Sequence, residues 1–331
     1  MKAIRLHKPG PIEGRPLRSE EAADLRPGKG QLLLKVLASG VCHTDLHIIE
    51  GDLRPPRFPL TPGHQVVGEV IAIGDGVEGW VLGERAGVPW LHNACKSCSY
   101  CLRGEENLCR EAEFTGFHVD GGFAEAVLAQ ADYALKVPKE IRDENVAPLL
   151  CAGIVGYRSL HKADLQPGEC LGLVGFGASA HLVIQVAVHW GHEVFVFTRS
   201  KNHRELAIQL GAKWAGDAED ESPKLLDRAI IFAPAGSLVP IMLSKLRPGG
   251  TLALNAIHMT PIPEFSYKLI WEERTLRSVA NATYQDGVDF LALAAEIPIQ
   301  AQIKRYALER ANDALKDMKD SKIDGAGVLI P

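Results

Sequence analysis

The segment from Gln166 to Asn255 repeats one pattern: a short apolar run, a turn, then a helix-length stretch. The runs are Cys170–Val174, Glu193–Thr198, Arg228–Phe232 and Thr251–Asn255, and the helix-length stretches are roughly Ser179–Trp190, the span from Ser200 to Gly211, and Ser237–Leu246. Pro248-Gly249-Gly250 reads as a turn. Short apolar strands alternating with helices require a parallel sheet with right-handed crossovers. The first strand runs into Gly175-Phe176-Gly177-Ala178-Ser179-Ala180, which reads G-x-G-x-x-A. Gly175 permits the tight turn and Gly177 the close approach of a pyrophosphate, while Ala180 lets the helix lie near the sheet. The N-terminus of that helix faces the anion.

The end of the second strand decides which dinucleotide fits. A free adenosine ribose is held by an acidic residue there. This chain has Thr198-Arg199-Ser200-Lys201 instead. No carboxylate repels a 2′-phosphate, and Arg199 is able to pair with one through two parallel hydrogen bonds. NADP(H) is therefore expected over NAD(H), with Thr198, Arg199 and Ser200 at the adenosine end.

Residues 1–150 have a different texture, with Gly and Pro between short apolar runs such as Gln31–Ala38, Val66–Ile73 and Gly122–Leu128. This predicts a many-stranded β domain. The last forty residues carry a strand-like Ile297–Lys304, an amphipathic helix near Leu308–Lys319 and a final strand Gly327–Ile330. The 331 residues suit two domains, and 36 basic against 41 acidic residues leave a net charge of −5. A mildly acidic chain without a basic block argues against nucleic acid or an anionic membrane as partner. Met1–Gly10 lacks an apolar signal core, so the expected compartment is the cytoplasm.

Seven cysteines make a poor disulfide framework. Four of them, Cys95, Cys98, Cys101 and Cys109, fall in one 15-residue window. Four thiolates at this spacing suit a closed tetrahedral zinc site, with paired disulfides, reduced unliganded thiols or an iron–sulfur cluster as the competing readings. Metal would order a loop that has few apolar residues of its own. Gly40-Val41-Cys42-His43-Thr44-Asp45-Leu46-His47 packs a thiol, two imidazoles, a hydroxyl and a carboxylate into eight residues. His64 stands at the turn Pro62-Gly63-His64-Gln65, and Cys151 in Leu149-Leu150-Cys151-Ala152-Gly153. Cys170, at the start of a buried strand, reads as core.

Over essentially its whole length the chain resembles the zinc-dependent alcohol dehydrogenases of the medium-chain dehydrogenase/reductase family. The likeness rests on Gly63-His64-Gln65-Val66-Val67-Gly68 with Gly74 and Val77, on the segment Gly40–His47, and on the four-cysteine loop. It implies an α/β architecture: a GroES-like β-rich catalytic domain (residues 1–152 and 291–331) holding two Zn2+ ions, and an inserted Rossmann domain (153–290). It further implies Cys42, His64 and Cys151 as ligands of a catalytic zinc, with Asp45 fixing the His64 ring. Thr44 would hydrogen-bond the substrate oxygen, His47 would end a proton relay, and His43 would lie near the cofactor diphosphate. Gly175, Phe176, Gly177, Ala178 and Ser179 would line the cofactor, and Leu53 and Trp90 the substrate pocket. Two positions depart from the family pattern: Gln65 replaces the usual Glu, and Ala326 stands where an arginine is common. The implied activity is reversible oxidation of small alcohols to aldehydes or ketones. An NADPH-dependent reductase of larger or aromatic aldehydes is the alternative, and a non-enzymatic nucleotide sensor is disfavoured by the intact ligand set. A homodimer or homotetramer is expected, with Leu276–Ala282 as a candidate edge.

Overall fold

The computed structural model describes residues 1–297 and 299–331. The chain divides into two compact units, Met1–Cys151 with Asn281–Glu296 and Gln300–Pro331, and Ala152–Ala280 with Ile297–Ile299.

The second unit is built on six parallel strands. Across the sheet they run Trp214–Gly216, Glu193–Phe197, Cys170–Val174, Leu226–Ile231, Leu246–Leu254 and Thr275–Ser278. In chain order this is 3-2-1-4-5-6, the doubly wound Rossmann order, with its reversal between the first and fourth strands. Every residue of Cys170–Val174 is buried, as a central strand covered on both faces requires. Cys170 is a core residue at 1% exposure. The helix Ala178–His189 leaves the first strand, and Lys201–Gln209 leaves the second with Ser200 capping it by accepting a hydrogen bond from His203 N (3.3 Å). The expected turn at Pro248–Gly250 is instead part of the strand Leu246–Leu254. The strand absorbs it as an irregularity: Leu226 pairs with Leu246, but Arg228 pairs with Thr251. Arg228 Nη1 donates to the Gly249 carbonyl (3.2 Å) and holds the extra residues in place.

The first unit is organised by a seven-stranded mixed sheet. Its order is Ile303–Ala307, Ala326–Ile330, Gln31–Val41, Gln65–Ile73, Arg85–Val88 and Leu135–Lys136, with Ala126–Gln130 also paired to Gln31–Val41. Leu32, Leu34, Val36, Val66, Val70, Val88 and Val127 form one core cluster. A second gathers Leu46, Ile48, Ile49, Leu60, Phe123, Leu315 and Leu329. The C-terminal strand is therefore interior, parallel to Ile303–Ala307 and antiparallel to Gln31–Val41, with Val328 opposite Gly40.

Three expectations need correction here. The strand expected at Gly122–Leu128 begins only at Ala126, because the backbone of Gly122 and Phe123 bonds to the carbonyls of Gly63 and Pro62. The strand expected at Ile297–Lys304 begins at Ile303, opposite Ala326; its partner cannot extend the ladder past Gly325, at φ +99°. Pro298, within that expected strand, lies outside the described residues. Finally, residues 281–290, expected with the parallel sheet, fall in the first unit. The helix Tyr284–Glu296 docks there through Tyr284, whose N–H donates to Glu106 Oε1 (2.7 Å) and whose ring meets that of Tyr133 at 6.3 Å.

Removing residues 326–331 would expose two rows of backbone groups and the fully buried Val328 and Leu329. Each such loss costs about 2–5 kcal/mol against a typical total of about 5–15. A chain ending at Gly325 is expected to be insoluble or to lack the cooperative unfolding of the full chain, as followed by circular dichroism.

Candidate metal centres and dinucleotide turn

Asp45 organises the first cluster. Cys42 is the N-cap of the helix His43–Glu50, and Asp45 is its third residue. Asp45 Oδ2 accepts from Cys42 N (2.9 Å), the side-chain-to-cap bond of a capping box. Its other oxygen accepts from Gly63 N (3.1 Å) and from His64 Nδ1 (3.0 Å). Asp45 and His64 are both fully buried. A carboxylate only accepts, so the neutral ring keeps its proton on Nδ1 and offers Nε2 as the ligand atom. That Nε2 is buried and has no hydrogen-bond partner. Burial alone would lower the His64 pKa, but the charge and hydrogen bond of Asp45, aided by Cys42, lift it to about 10, so the metal-free ring also carries a proton on Nε2, which a bound metal ion displaces.

Cys151 enters from a helical stretch that runs from Asp143 to Ala163 and widens to π geometry over Leu149–Gly153. A π turn inserts one extra residue and re-aims the side chains it carries. Leu150 beside it packs on Gly87, where an added Cβ would lie 2.5 Å from Leu150 Cδ2. Cys42 Sγ, a His64 ring nitrogen and Cys151 Sγ come within 4.8 Å of one another. The Thr44 hydroxyl lies 3.7 Å from Cys42 Sγ. Hydrogen bonding from Cys151 draws the Cys42 thiol well down, and Cys151 is correspondingly raised.

Cys95, Cys98, Cys101 and Cys109 also converge. The sulfur–sulfur distances are 3.8 Å for Cys95–Cys101, 3.6 Å for Cys98–Cys101 and 3.5 Å for Cys95–Cys109. These are far from a bond of about 2.05 Å. They match the edge of about 3.8 Å that four sulfurs share around one ion at about 2.3 Å. The Cys98 N–H donates to Cys95 Sγ (3.3 Å). Backbone N–H groups of Ser97 and Cys98 hold the Cys95 thiol down to about 6, and burial pushes Cys101 up to about 12.

His47, in the last turn of the same helix, pairs through Nδ1 with Asp52 Oδ2 (2.8 Å). His43 is exposed at the helix start. Gln65 is buried and lies over Gly40, where a Cβ would meet its Oε1 at 2.4 Å. Ala326 is buried as the first residue of the C-terminal strand.

In the other unit Gly175 has φ +83°, and a Cβ there would lie 3.0 Å from the Ala233 nitrogen. Only glycine suits it. Gly177 is the N-cap of Ala178–His189, and a Cβ on it would meet nothing within 4 Å. Ala180 is fully buried against the sheet. Arg199 is exposed and, among the described residues, has no ion-pair partner. Arg204 donates from Nε to the Thr198 carbonyl (2.7 Å) and pairs with Asp217 at 3.5 Å.

The model of the alcohol dehydrogenase GroES-like domain matches residues 28–139. A probable alcohol dehydrogenase of Mycobacterium tuberculosis is 45% identical over 336 residues, covering 100% of this chain and 97% of the relative. The chain belongs to the alcohol dehydrogenases of the medium-chain dehydrogenase/reductase family. It is an oxidoreductase acting on alcohols. Among solved structures, a cinnamyl alcohol dehydrogenase of Sorghum bicolor superposes with TM-score 0.92 at 27% identity, over 99% of this chain and 97% of that one. The alcohol dehydrogenase of Aeropyrum pernix gives 0.89 at 28% identity, over 100% of both chains.

This dehydrogenase also carries a feature that sequence reading missed. Trp90, named as a pocket residue, meets the His64 ring edge-on at 4.7 Å and stacks on Phe114 at 5.3 Å, with Phe117 at 6.0 Å. Leu53 packs against the same apolar cluster. Phe114 ends the short strand Glu113–Phe114, opposite Leu91, and Phe117 lies on the loop that follows, which is strapped to the His64 turn. Gly121 N donates to Thr61 O (2.7 Å), Gly122 N to Gly63 O (2.9 Å), and Thr61 N to Asp120 Oδ1 (2.8 Å). The available signal was two phenylalanines three residues apart beside a Gly-rich stretch, where solvent-facing aromatics are out of place.

A Cβ at Gly121 would sit 2.0 Å from the Gly63 carbonyl oxygen. That neighbour is backbone and cannot rotate aside, so Gly121→Ala must push the His64 turn. It is expected to destabilise the chain by about 2–4 kcal/mol, read as a lowered thermal midpoint.

Proposed function

We propose that this alcohol dehydrogenase is zinc-dependent, holds two zinc ions per chain, and uses NADP(H) in preference to NAD(H). The observation that carries the metal reading is the buried Nε2 of His64, without a hydrogen-bond partner, beside the sulfurs of Cys42 and Cys151. Two thiolates and an imidazole suit zinc and leave a fourth position for substrate, whereas the four-thiol loop makes a closed structural site. When bound, the catalytic zinc supplies Lewis acidity toward an alcohol oxygen, and the nicotinamide supplies the hydride acceptor.

The chain's own residues do the rest. Asp45 holds the His64 ring in the ligating tautomer. Thr44 offers its hydroxyl to the substrate oxygen. His47, anchored through Nδ1 by Asp52, ends the proton relay. Gly175, Phe176, Gly177, Ala178 and Ser179 receive the pyrophosphate, with His43 supplying an imidazole near it. Thr198, Arg199 and Ser200 receive the adenosine 2′-phosphate. Leu53 and Trp90, joined by Phe114 and Phe117, make the wall beside His64 flat and aromatic, which favours larger or aromatic alcohols and aldehydes over ethanol. The exposed edge strand Thr275–Ser278, with Leu276 at 37% exposure, is the proposed contact of a homodimer or homotetramer. No helix among the described residues is long and apolar enough to cross a membrane, and a cytoplasmic location is proposed.

Steady-state rates with cinnamaldehyde and acetaldehyde, each with NADPH and NADH, test this reading. NADPH is expected to give the higher kcat/KM by about tenfold or more, the worth of one charge-assisted pair. Arg199→Glu should reverse the order. Equal or better use of NADH by the wild type would overturn the assignment of Arg199, and a preference for acetaldehyde would overturn that of the aromatic wall.

A further inference from the structure

The helix that opens at the dinucleotide turn contains a histidine to which the reaction gives no part. His181 is fully exposed to no solvent, at 0%, on the first turn of Ala178–His189. Its Nδ1 lies 3.2 Å from the Gly177 carbonyl oxygen, and its Nε2 is buried with no hydrogen-bond partner. A carbonyl only accepts, so the proton is on Nδ1. Burial pushes the pKa down to about 4, which keeps the ring neutral. The same carbonyl also accepts the His181 backbone N–H (3.1 Å). Both lone pairs of Gly177 O are thus engaged from inside the helix.

This matters because of what lies across the peptide plane. In a trans peptide the C=O of Gly177 and the N–H of Ala178 point in opposite directions. Fixing the carbonyl inward fixes the Ala178 N–H outward, at the helix mouth. Gly177 has no Cβ to restrict it and no side-chain cap, so without the imidazole the peptide is held by the single terminal backbone bond from His181 N, where helices fray. A leucine would fill the same space without burying an unpaired nitrogen.

We propose that His181 is a positioning residue for the dinucleotide: it locks the Gly177–Ala178 peptide so that the Ala178 N–H is aimed at the pyrophosphate before the cofactor arrives. This rests on reading Gly175–Ala180 as the cofactor turn. Two variants of the full chain separate the hydrogen bond from packing. His181→Leu keeps most of the volume and loses the donor. His181→Thr loses volume but keeps a donor, because a threonine hydroxyl in a helix reaches the carbonyl four residues back.

NADPH affinity is read by fluorescence titration, with a thermal melt beside it. The Kd of His181→Leu should rise about tenfold with little change in thermal midpoint, while His181→Thr should stay within about threefold of wild type despite a lower midpoint. A Leu variant with wild-type affinity, or a Thr variant as weak as the Leu variant, would overturn the proposal. If the wild type bound neither NADPH nor NADH, the cofactor reading itself would fall.

Discussion

The carboxylate of Asp45 is the point on which the catalytic unit turns. Buried without any solvent contact, it accepts three hydrogen bonds, from the Cys42 cap, the Gly63 turn and the His64 ring. An ion so placed is costly unless its lone pairs are engaged, and here they are. One group therefore sets where the helix His43–Glu50 begins, where the His64 turn lies, and which His64 nitrogen is left for a metal. The segment carrying Phe114 and Phe117 runs on into a loop strapped to that same turn, so the aromatic wall is tied to the same carboxylate.

The two cysteine clusters solve different problems. The sulfurs of Cys95, Cys98, Cys101 and Cys109 close on each other at tetrahedral spacing in a loop whose own core is small. That cluster orders chain, and the helix Tyr284–Glu296 leans on it through Glu106 and Tyr133. The set Cys42, His64 and Cys151 comes from three segments: Cys42 and His64 flank the paired strands Gln31–Val41 and Gln65–Ile73, and Cys151 comes in from a helix far along the chain.

Much of this was legible in the amino-acid order. The strand Cys170–Val174 and the glycine turn after it were readable because periodicity and backbone sterics are local. The four-cysteine loop was readable because its ligands are neighbours. Cys42, His64 and Cys151 were legible only through family resemblance, since nothing local to Cys151 signals a π turn. The Pro248–Gly250 segment read as a turn, yet cross-sheet pairing and Arg228 drew it into a strand. The helix from Tyr284 was misassigned because its docking rests on contacts with Glu106 and Tyr133, more than 150 residues earlier. Phe114 and Phe117 looked like loop residues until the fold brought Trp90 against them.

The central claim is that Asp45 holds His64 ready for metal. It is tested most directly by metal analysis of Asp45→Asn after dialysis against a chelator. An amide keeps one accepting oxygen but replaces the other with a donor, so the Cys42 and His64 bonds can no longer both be met. The account predicts that the variant keeps the zinc of the four-cysteine loop and loses the other, with affinity there down about 10–100-fold. Retention of both ions, with wild-type resistance to the chelator, would contradict it.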